Sequence, residues 1–274
     1  LRIGDFGGVK APDLTDLKNT VKYESLRGKV CLLINTPTLD SKVTHEYAIS
    51  LVETVLLLTM LDIPVVIGKP QNSCFIDLSR NLFAAQFLEG EYTHLLQIDS
   101  DMGWEAEDIL KMLLKDKEFI AGIGRKKLEK EEYAGLECVD ENGTVKGELG
   151  KTQEDVLVKM RMIGGAITLQ KRSVFEKLIE KYPSMKTVLG TTPGYSFYKC
   201  EYHHEAYQTE DYYFCSLCQS AGIDVWCYPN MNVDHYEGRK NYRGNYFKYL
   251  KGLKEKSLRI GLLPEIERQY NNVS

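Results

Sequence analysis

The sequence predicts an α/β fold: a single domain with a largely parallel central sheet, helices on both faces and a small antiparallel addition. Three observations lead there. Short continuous apolar runs, as expected of strands buried on both faces, recur through the first half of the chain. Segments of helical apolar period lie between them, long enough for right-handed crossovers. Each run also stops abruptly at a polar, turn-forming stretch.

In chain order, residues 1–28 are polar and punctuated by Gly7, Gly8, Pro12 and Gly28, and read as an N-terminal arm. The main domain is expected over 29–245. Its first strand is Val30–Ile34, running into Asn35-Thr36-Pro37-Thr38. A helix follows over Thr44–Leu61, then a strand at Ile63–Ile67 and a helix over Phe75–Leu88. Thr93–Ile98 is the third strand, Glu105–Leu114 the third helix and Phe119–Ile123 the fourth strand. Beyond it, Asn142-Gly143 between short extended pieces signals a hairpin. Met162–Leu169 reads as one strand interrupted by Gly164-Gly165, and Ser173–Lys181 as a helix ended by Pro183. Residues 184–208 have little periodicity and are expected to form an active-site loop. A helix over Glu210–Ser220, a strand at Asp224–Tyr228 and a basic helix over Tyr246–Lys256 complete the chain, with 246–274 expected to pack as a C-terminal tail.

A net charge of -4 gives no overall drive toward nucleic acid, which selects for clustered Lys and Arg. The most apolar stretch, Ala48–Leu61, carries Glu53 and falls short of the ~20 residues a membrane span needs. Residues 1–10 lack the charged start and apolar middle of a secretory signal. Seven scattered cysteines, an odd count, suit free thiols in a reducing compartment. The expectation is a cytoplasmic enzyme.

The strongest chemical signal is Asp99-Ser100-Asp101, two carboxylates one residue apart where the third strand leaves the sheet. Open α/β sheets bind ligands at the carboxyl ends of their strands. A hard divalent cation that bridges phosphates needs carboxylate oxygens in that place. The plain alternative is a loop start in which one Asp caps the next helix.

Taken in order with other segments, this triplet resembles the DxD motif of GT-A glycosyltransferases, a Rossmann-like family. Thr36-Pro37-Thr38 resembles the loop that holds the donor nucleoside, and Ser79-Arg80-Asn81 the Arg-Asn pair upstream of DxD. Gly164-Gly165-Ala166 resembles the small-residue segment under the donor sugar, Glu210-Asp211 the ED motif, and Asp234-His235 the late His of the metal site. The resemblance covers roughly residues 30–245 and is greatest to compact viral and phage transferases, which would place the protein in host cytoplasm.

That resemblance implies Asp99, Asp101 and His235 as metal residues, with Mn²⁺ favoured over Mg²⁺ because imidazole joins carboxylate. It implies Asp211, with Glu210, as catalytic. Thr36, Pro37, Thr38, Arg80, Ser100, Gly164, Gly165, Ala166, Arg239 and Lys240 would bind the donor, a UDP- or GDP-sugar. The acceptor would be a glycan or another hydroxyl, up to a modified DNA base, and the transfer inverting.

Plainer roles stand beside these: a surface salt bridge for Arg80, a strand bulge or close backbone approach at the glycines, a solvated basic turn for Arg239 and Lys240, and helix capping by Thr209, Glu210 or Asp211. Cys200, His203, His204, Cys215 and Cys218 have zinc-ligand types, although Cys215 and Cys218, one helical turn apart, equally suit a core face. A metal-dependent nucleotidyltransferase and a non-catalytic module binding nucleotide sugar or nucleic acid are the rival functions.

Overall fold

The computed structural model describes residues 23–69, 71–141, 145–148, 156–203 and 206–256. Among these, the central sheet holds β1 (Leu32–Asn35), β2 (Val65–Ile67), β3 (His94–Ile98), β4 (Phe119–Gly122), β5 (Gly135–Glu137), β6 (Leu157–Ile163), β7 (Ile167–Lys171) and β8 (Val225–Cys227). Their spatial order is β2-β1-β3-β7-β4-β8-β6-β5, with Gly147–Glu148 also paired to β6. β1 pairs in parallel with β2 and β3, and β4 in parallel with β8. β7 lies between β3 and β4 and runs against both, so β1, β2, β3, β4 and β8 share one direction. The largely parallel α/β fold expected from the apolar runs is the fold observed.

Helices α1 (His45–Met60), α2 (Ile76–Glu89), α3 (Ala106–Leu114), α4 (Arg172–Lys181), α5 (Glu210–Ser220) and α6 (Tyr246–Lys256) cover the sheet. Side chains of a strand alternate between its faces. Leu33 and Leu95 accordingly face one core, with Phe87 of α2, Phe175 of α4, Phe214 of α5 and Tyr246 of α6. Leu32, Ile34, Leu96 and Ile98 face the other, with Leu57 and Leu58 of α1 and Ile109 and Leu113 of α3. The α1 start is set by Thr44, whose hydroxyl accepts the Tyr47 N–H at 3.2 Å, so an orphan helix donor is satisfied.

The later half departs from the sequence reading in three places. Met162–Leu169 is not one strand: β6 ends at Ile163, Gly164-Gly165-Ala166 turn the chain, and β7 inserts elsewhere in the sheet. Residues 184–208 contain two short hairpins, Lys186–Leu189 with Thr192–Tyr195 and Glu201–His203 with Ala206–Gln208. A strand unmarked by any apolar run, β9 (Asn232–Glu237), pairs antiparallel with the short extended segment Met102–Trp104. The Asn142-Gly143 turn and residues 1–22 and 257–274 lie outside the described residues, although Val139 and Val145 flanking that turn are paired.

Candidate functional site

The acidic triplet and the segments expected around it, Thr36-Pro37-Thr38, Gly164-Gly165-Ala166 and Asp234-His235, reach one edge of the sheet, where β1, β3 and β4 end and β7 begins. Asp99-Ser100-Asp101 forms the tight turn from β3 into Met102–Trp104, closed by the Met102 N–H on the Asp99 carbonyl at 3.2 Å. The Ala166 carbonyl accepts the Asp99 N–H at 3.0 Å, and the Ser100 carbonyl accepts the Thr44 N–H at 2.9 Å. Main-chain bonds to two neighbouring elements thus fix the triplet. It opens on a cleft of about 340 Å³ lined by Pro37, Thr38, Asp99, Ser100, Asp101 and His235.

The β9 register explains why residues so distant in sequence meet there. His235 is paired opposite Met102, and the Tyr236 N–H reaches the Asp101 carbonyl at 2.9 Å. His235 Nε2 lies 3.4 Å from Asp101 Oδ2. Its other nitrogen, Nδ1, is 2.8 Å from the Arg125 carbonyl, which can only accept, so Nδ1 carries a proton. A backbone partner on the far nitrogen is how metal-binding imidazoles are oriented. On the same Asp101 oxygen sits the Lys127 ammonium, at 2.6 Å. Burial pushes the Asp101 carboxyl up, but His235 and Lys127 outweigh it and hold it at about 2.

Asp99 behaves differently. Its Oδ1 accepts from Arg80 Nη2 at 2.9 Å. Arg80, expected to reach the donor, is 2% exposed and enclosed: Nε donates to Glu210 at 3.0 Å, and Nη2 also reaches the Gly165 carbonyl at 3.2 Å. Burial opposes the guanidinium charge, and Asp99 and Glu210 more than restore it. Desolvation raises the Asp99 carboxyl to about 6 against the pull of Arg80, with the charges of Asp101, Glu210 and Asp211 adding to the rise. Among the described residues, no three His, Cys, Asp or Glu side chains are grouped to hold a metal ion. Asp101 and His235 converge, while Asp99 is turned onto Arg80.

Gly164 and Gly165 are small because the protein itself approaches them. A Cβ on Gly165 would lie 2.3 Å from Arg80 Nη2, and one on Gly164 would lie 2.9 Å from the Ala134 Cβ and 3.2 Å from its carbonyl oxygen. The same turn positions Asp211, whose Oδ2 accepts the Gly165 N–H at 3.0 Å and whose Oδ1 accepts the Tyr212 N–H at 2.8 Å and the Thr209 hydroxyl. Asp211 is half-buried. Glu210, its neighbour, is 6% exposed and spent on Arg80, which makes it a structural partner rather than a group facing substrate.

The remaining expected residues are more peripheral. The Thr36 hydroxyl is paired with that of Tyr47, Thr38 lines the cleft, and Ala166 holds Asp99 through its backbone. Lys240 is ion-paired to Glu129 and Arg239 is exposed on the same turn. Cys215 and Cys218 face the core beside Phe214, and burial pushes the Cys215 thiol up to about 12, far from the thiolate a zinc site uses. A further residue at the cleft, which the order of motifs does not single out, is Lys127.

A larger cleft, about 630 Å³, opens at the opposite ends of β1 and β3, lined by Val30, Thr93, His94, Lys171 and Arg172. Two of its cations, Lys171 and Arg172, are committed to the frame. Arg172 donates to the carbonyls of Tyr92 at 2.7 Å and Phe87 at 2.8 Å, and Lys171 binds Asp116 at 2.5 Å. Size favours this cleft; the converging acid, imidazole and ammonium favour the other.

No family model and no curated protein sequence matches the chain. Three of the solved structures that resemble it loosely are as follows. A197 from STIV is 15% identical, with 76% of this chain and 86% of that chain covered at a TM-score of 0.44. A 4-diphosphocytidyl-2C-methyl-D-erythritol synthase from Anaerococcus prevotii is 13% identical, covering 57% and 78% at 0.31. A UDP-glucose pyrophosphorylase complexed with UDP-glucose is 9% identical, covering 83% and 100% at 0.37. At these values the likenesses carry no weight for the chemistry of the cleft. No helix among the described residues is long and apolar enough to cross a membrane.

Proposed function

We propose that the protein is a metal-dependent glycosyltransferase that moves a sugar from a nucleoside diphosphate donor to an acceptor hydroxyl. The observation that carries this reading is the convergence of Asp101 and His235 on one cleft at the carboxyl end of β3, with the imidazole oriented by the Arg125 carbonyl. The residues fit a divalent cation. Asp101 offers a carboxylate held ionised, His235 offers Nε2, and the Lys127 ammonium already sits on Asp101 as a positive charge. Asp101 and His235 would hold the cation, and oxygen plus imidazole would favour Mn²⁺ over Mg²⁺. When bound, the cation would neutralise the charge that develops on the leaving diphosphate.

The chain's own residues do the rest. Asp211, oriented by the Gly165 N–H, the Tyr212 N–H and the Thr209 hydroxyl, takes the acceptor hydroxyl proton as that oxygen attacks the anomeric carbon. The bond from that carbon to the diphosphate breaks on the opposite side, inverting the centre and releasing nucleoside diphosphate. Arg80 touches neither reactant: it locks Asp99, Glu210 and the Gly165 carbonyl into one frame. Thr38 and Ser100 line the cleft where the donor would lie.

Incubation with Mn²⁺ and a panel of UDP- and GDP-sugars, followed by detection of slow donor hydrolysis, tests the proposal. Release of nucleoside diphosphate supports it. Release of nucleoside monophosphate with sugar 1-phosphate, or of pyrophosphate when the protein is given nucleoside triphosphate and sugar 1-phosphate, would identify a nucleotidyltransferase instead, and binding without turnover a non-catalytic module.

A further inference from the structure

We infer that Lys127 is an exchangeable counter-charge: its ammonium neutralises Asp101 in the cation-free protein, yields that carboxylate when a divalent cation binds, and is then free to pair with the diphosphate brought by that cation. The inference rests on the metal-site reading above and adds a role for a residue outside the motifs that led to it.

Three features support the exchange. The first is competition for one atom. Lys127 Nζ and His235 Nε2 both address Asp101 Oδ2, at 2.6 and 3.4 Å, so a cation bridging Asp101 and His235 would occupy the space the ammonium now takes. Two like charges cannot share that oxygen at contact distance. The second is that the two ends of the group differ in freedom. Both side chains are about equally exposed, 30% and 32%, but Asp101 is short and fixed by its backbone to Tyr236, whereas Lys127 is long and sits on a loop between Arg125 and Tyr133. The long flexible stem of a lysine allows it to swing by several ångströms without moving the backbone.

The third is that the loop itself is tied down, so the displaced ammonium would stay beside the cleft. The Lys126 N–H reaches the Glu132 carbonyl at 2.8 Å, and the Arg125 guanidinium donates to the carbonyls of Leu128 and Glu129 at 3.3 and 3.0 Å. Asp101 lines the cleft, so a diphosphate on its cation would arrive within lysine reach of the same loop. Charge accounting agrees. A divalent cation added to Asp101 with Lys127 still in place leaves excess positive charge, which a nucleoside diphosphate corrects. Cation and diphosphate should therefore bind with positive coupling, each more tightly in the presence of the other.

The test compares the parent protein with Lys127→Met and Lys127→Arg in two calorimetric titrations, Mn²⁺ alone and UDP at saturating Mn²⁺. For Lys127→Met the expected result is opposite changes: Mn²⁺ alone binds roughly fivefold more tightly, the scale of a partly exposed ion pair removed, while UDP binds several-fold more weakly. Lys127→Arg keeps a charge and should stay near the parent in both, which also shows that the loop tolerates substitution. Unchanged Mn²⁺ affinity in Lys127→Met, or a loss of both affinities together, overturns the exchange while leaving the metal site standing. A parent protein that binds neither Mn²⁺ nor UDP overturns the exchange and the proposed function together.

Discussion

Arg80 Nε and Glu210 Oε1 lie 3.0 Å apart, with only 2% and 8% of the two side chains exposed, and the same guanidinium holds Asp99 at 2.9 Å. A cation placed between two carboxylates from distant parts of the chain makes α2, β3 and the start of α5 a single electrostatic unit. Removing it strands a buried charge, which costs more than a lost surface pair.

Arg80→Met is therefore expected to destabilise the fold by about 3–5 kcal/mol in denaturant titration. Combining it with Glu210→Gln should recover part of that loss, because the second change removes one of the two stranded carboxylates, the more buried one. Arg80→Met with a loss under about 1 kcal/mol, the surface-pair scale, would show that Arg80 is not the hub described.

Gly165→Ala addresses the same unit from the other side. Its Cβ would meet Arg80 Nη2 at 2.3 Å, and Arg80 is held by three partners that resist displacement. A loss of about 1–3 kcal/mol is expected, the usual range for overpacking. A neutral effect in thermal unfolding would mean that Arg80 shifts without cost.

Asp108 supplies a pH signature. It is 3% exposed, accepts the Asn232 N–H at 3.3 Å and has Lys111 at 3.7 Å. Burial lifts its carboxyl to about 7, and Lys111 only partly opposes that. The folded state thus binds the proton more tightly than the unfolded state. Stability from this group is full below the unfolded value of 3.8 and declines as pH rises toward 7. Asp108→Asn removes the decline, so the variant should match the parent near the acid end and exceed it above pH ~7 by on the order of 2 kcal/mol. Parallel stability curves for the two proteins across that window would refute the assignment.

The order of strands and helices was legible because the strands that build the site are buried on both faces and announce themselves as apolar runs, Leu32–Asn35 and His94–Ile98 above all. β9 was not, since only Val233 in Asn232–Glu237 is buried and its partner is a three-residue segment. Without β9 the approach of His235 to Asp101 rested on resemblance; the register of β9 against Met102–Trp104 supplies its physical cause. The division of β6 from β7 was hidden by Gly164-Gly165, which could mean a bulge, a ligand or a turn. The positions of Ala134 beside Gly164 and Arg80 beside Gly165 identify what those glycines accommodate. In Leu157–Ile163 the alternation of Val158 and Met160 with Lys159 and Arg161 was a usable period-two signal.

His235→Ala should weaken Mn²⁺ binding at least about tenfold, since an imidazole with its far nitrogen fixed is already oriented for the cation. The fold should persist because the side chain is half-buried and β9 is held by backbone pairing. Donor binding should fall in parallel, and chelation with EDTA should produce the same fall in the parent. An unchanged Mn²⁺ isotherm in the variant removes His235 from the site, and donor affinity indifferent to EDTA removes the cation.

Asp211 decides the chemistry. Its carboxylate is anchored by the Gly165 and Tyr212 N–H groups and the Thr209 hydroxyl, an arrangement that orients it toward the turn beside Asp99 rather than out along α5. Thr209 stands at the helix start without capping it, so the bonds at this terminus serve Asp211. Asp211→Asn keeps the shape and an oxygen for the Gly165 N–H while removing the proton-accepting charge. Transfer is expected to fall on the order of a hundredfold or more, the scale of general-base catalysis, with Mn²⁺ and UDP affinities preserved. Transfer at the parent rate in Asp211→Asn would make this residue an anchor for the Gly164-Gly165 turn and take away the base on which the inverting route depends.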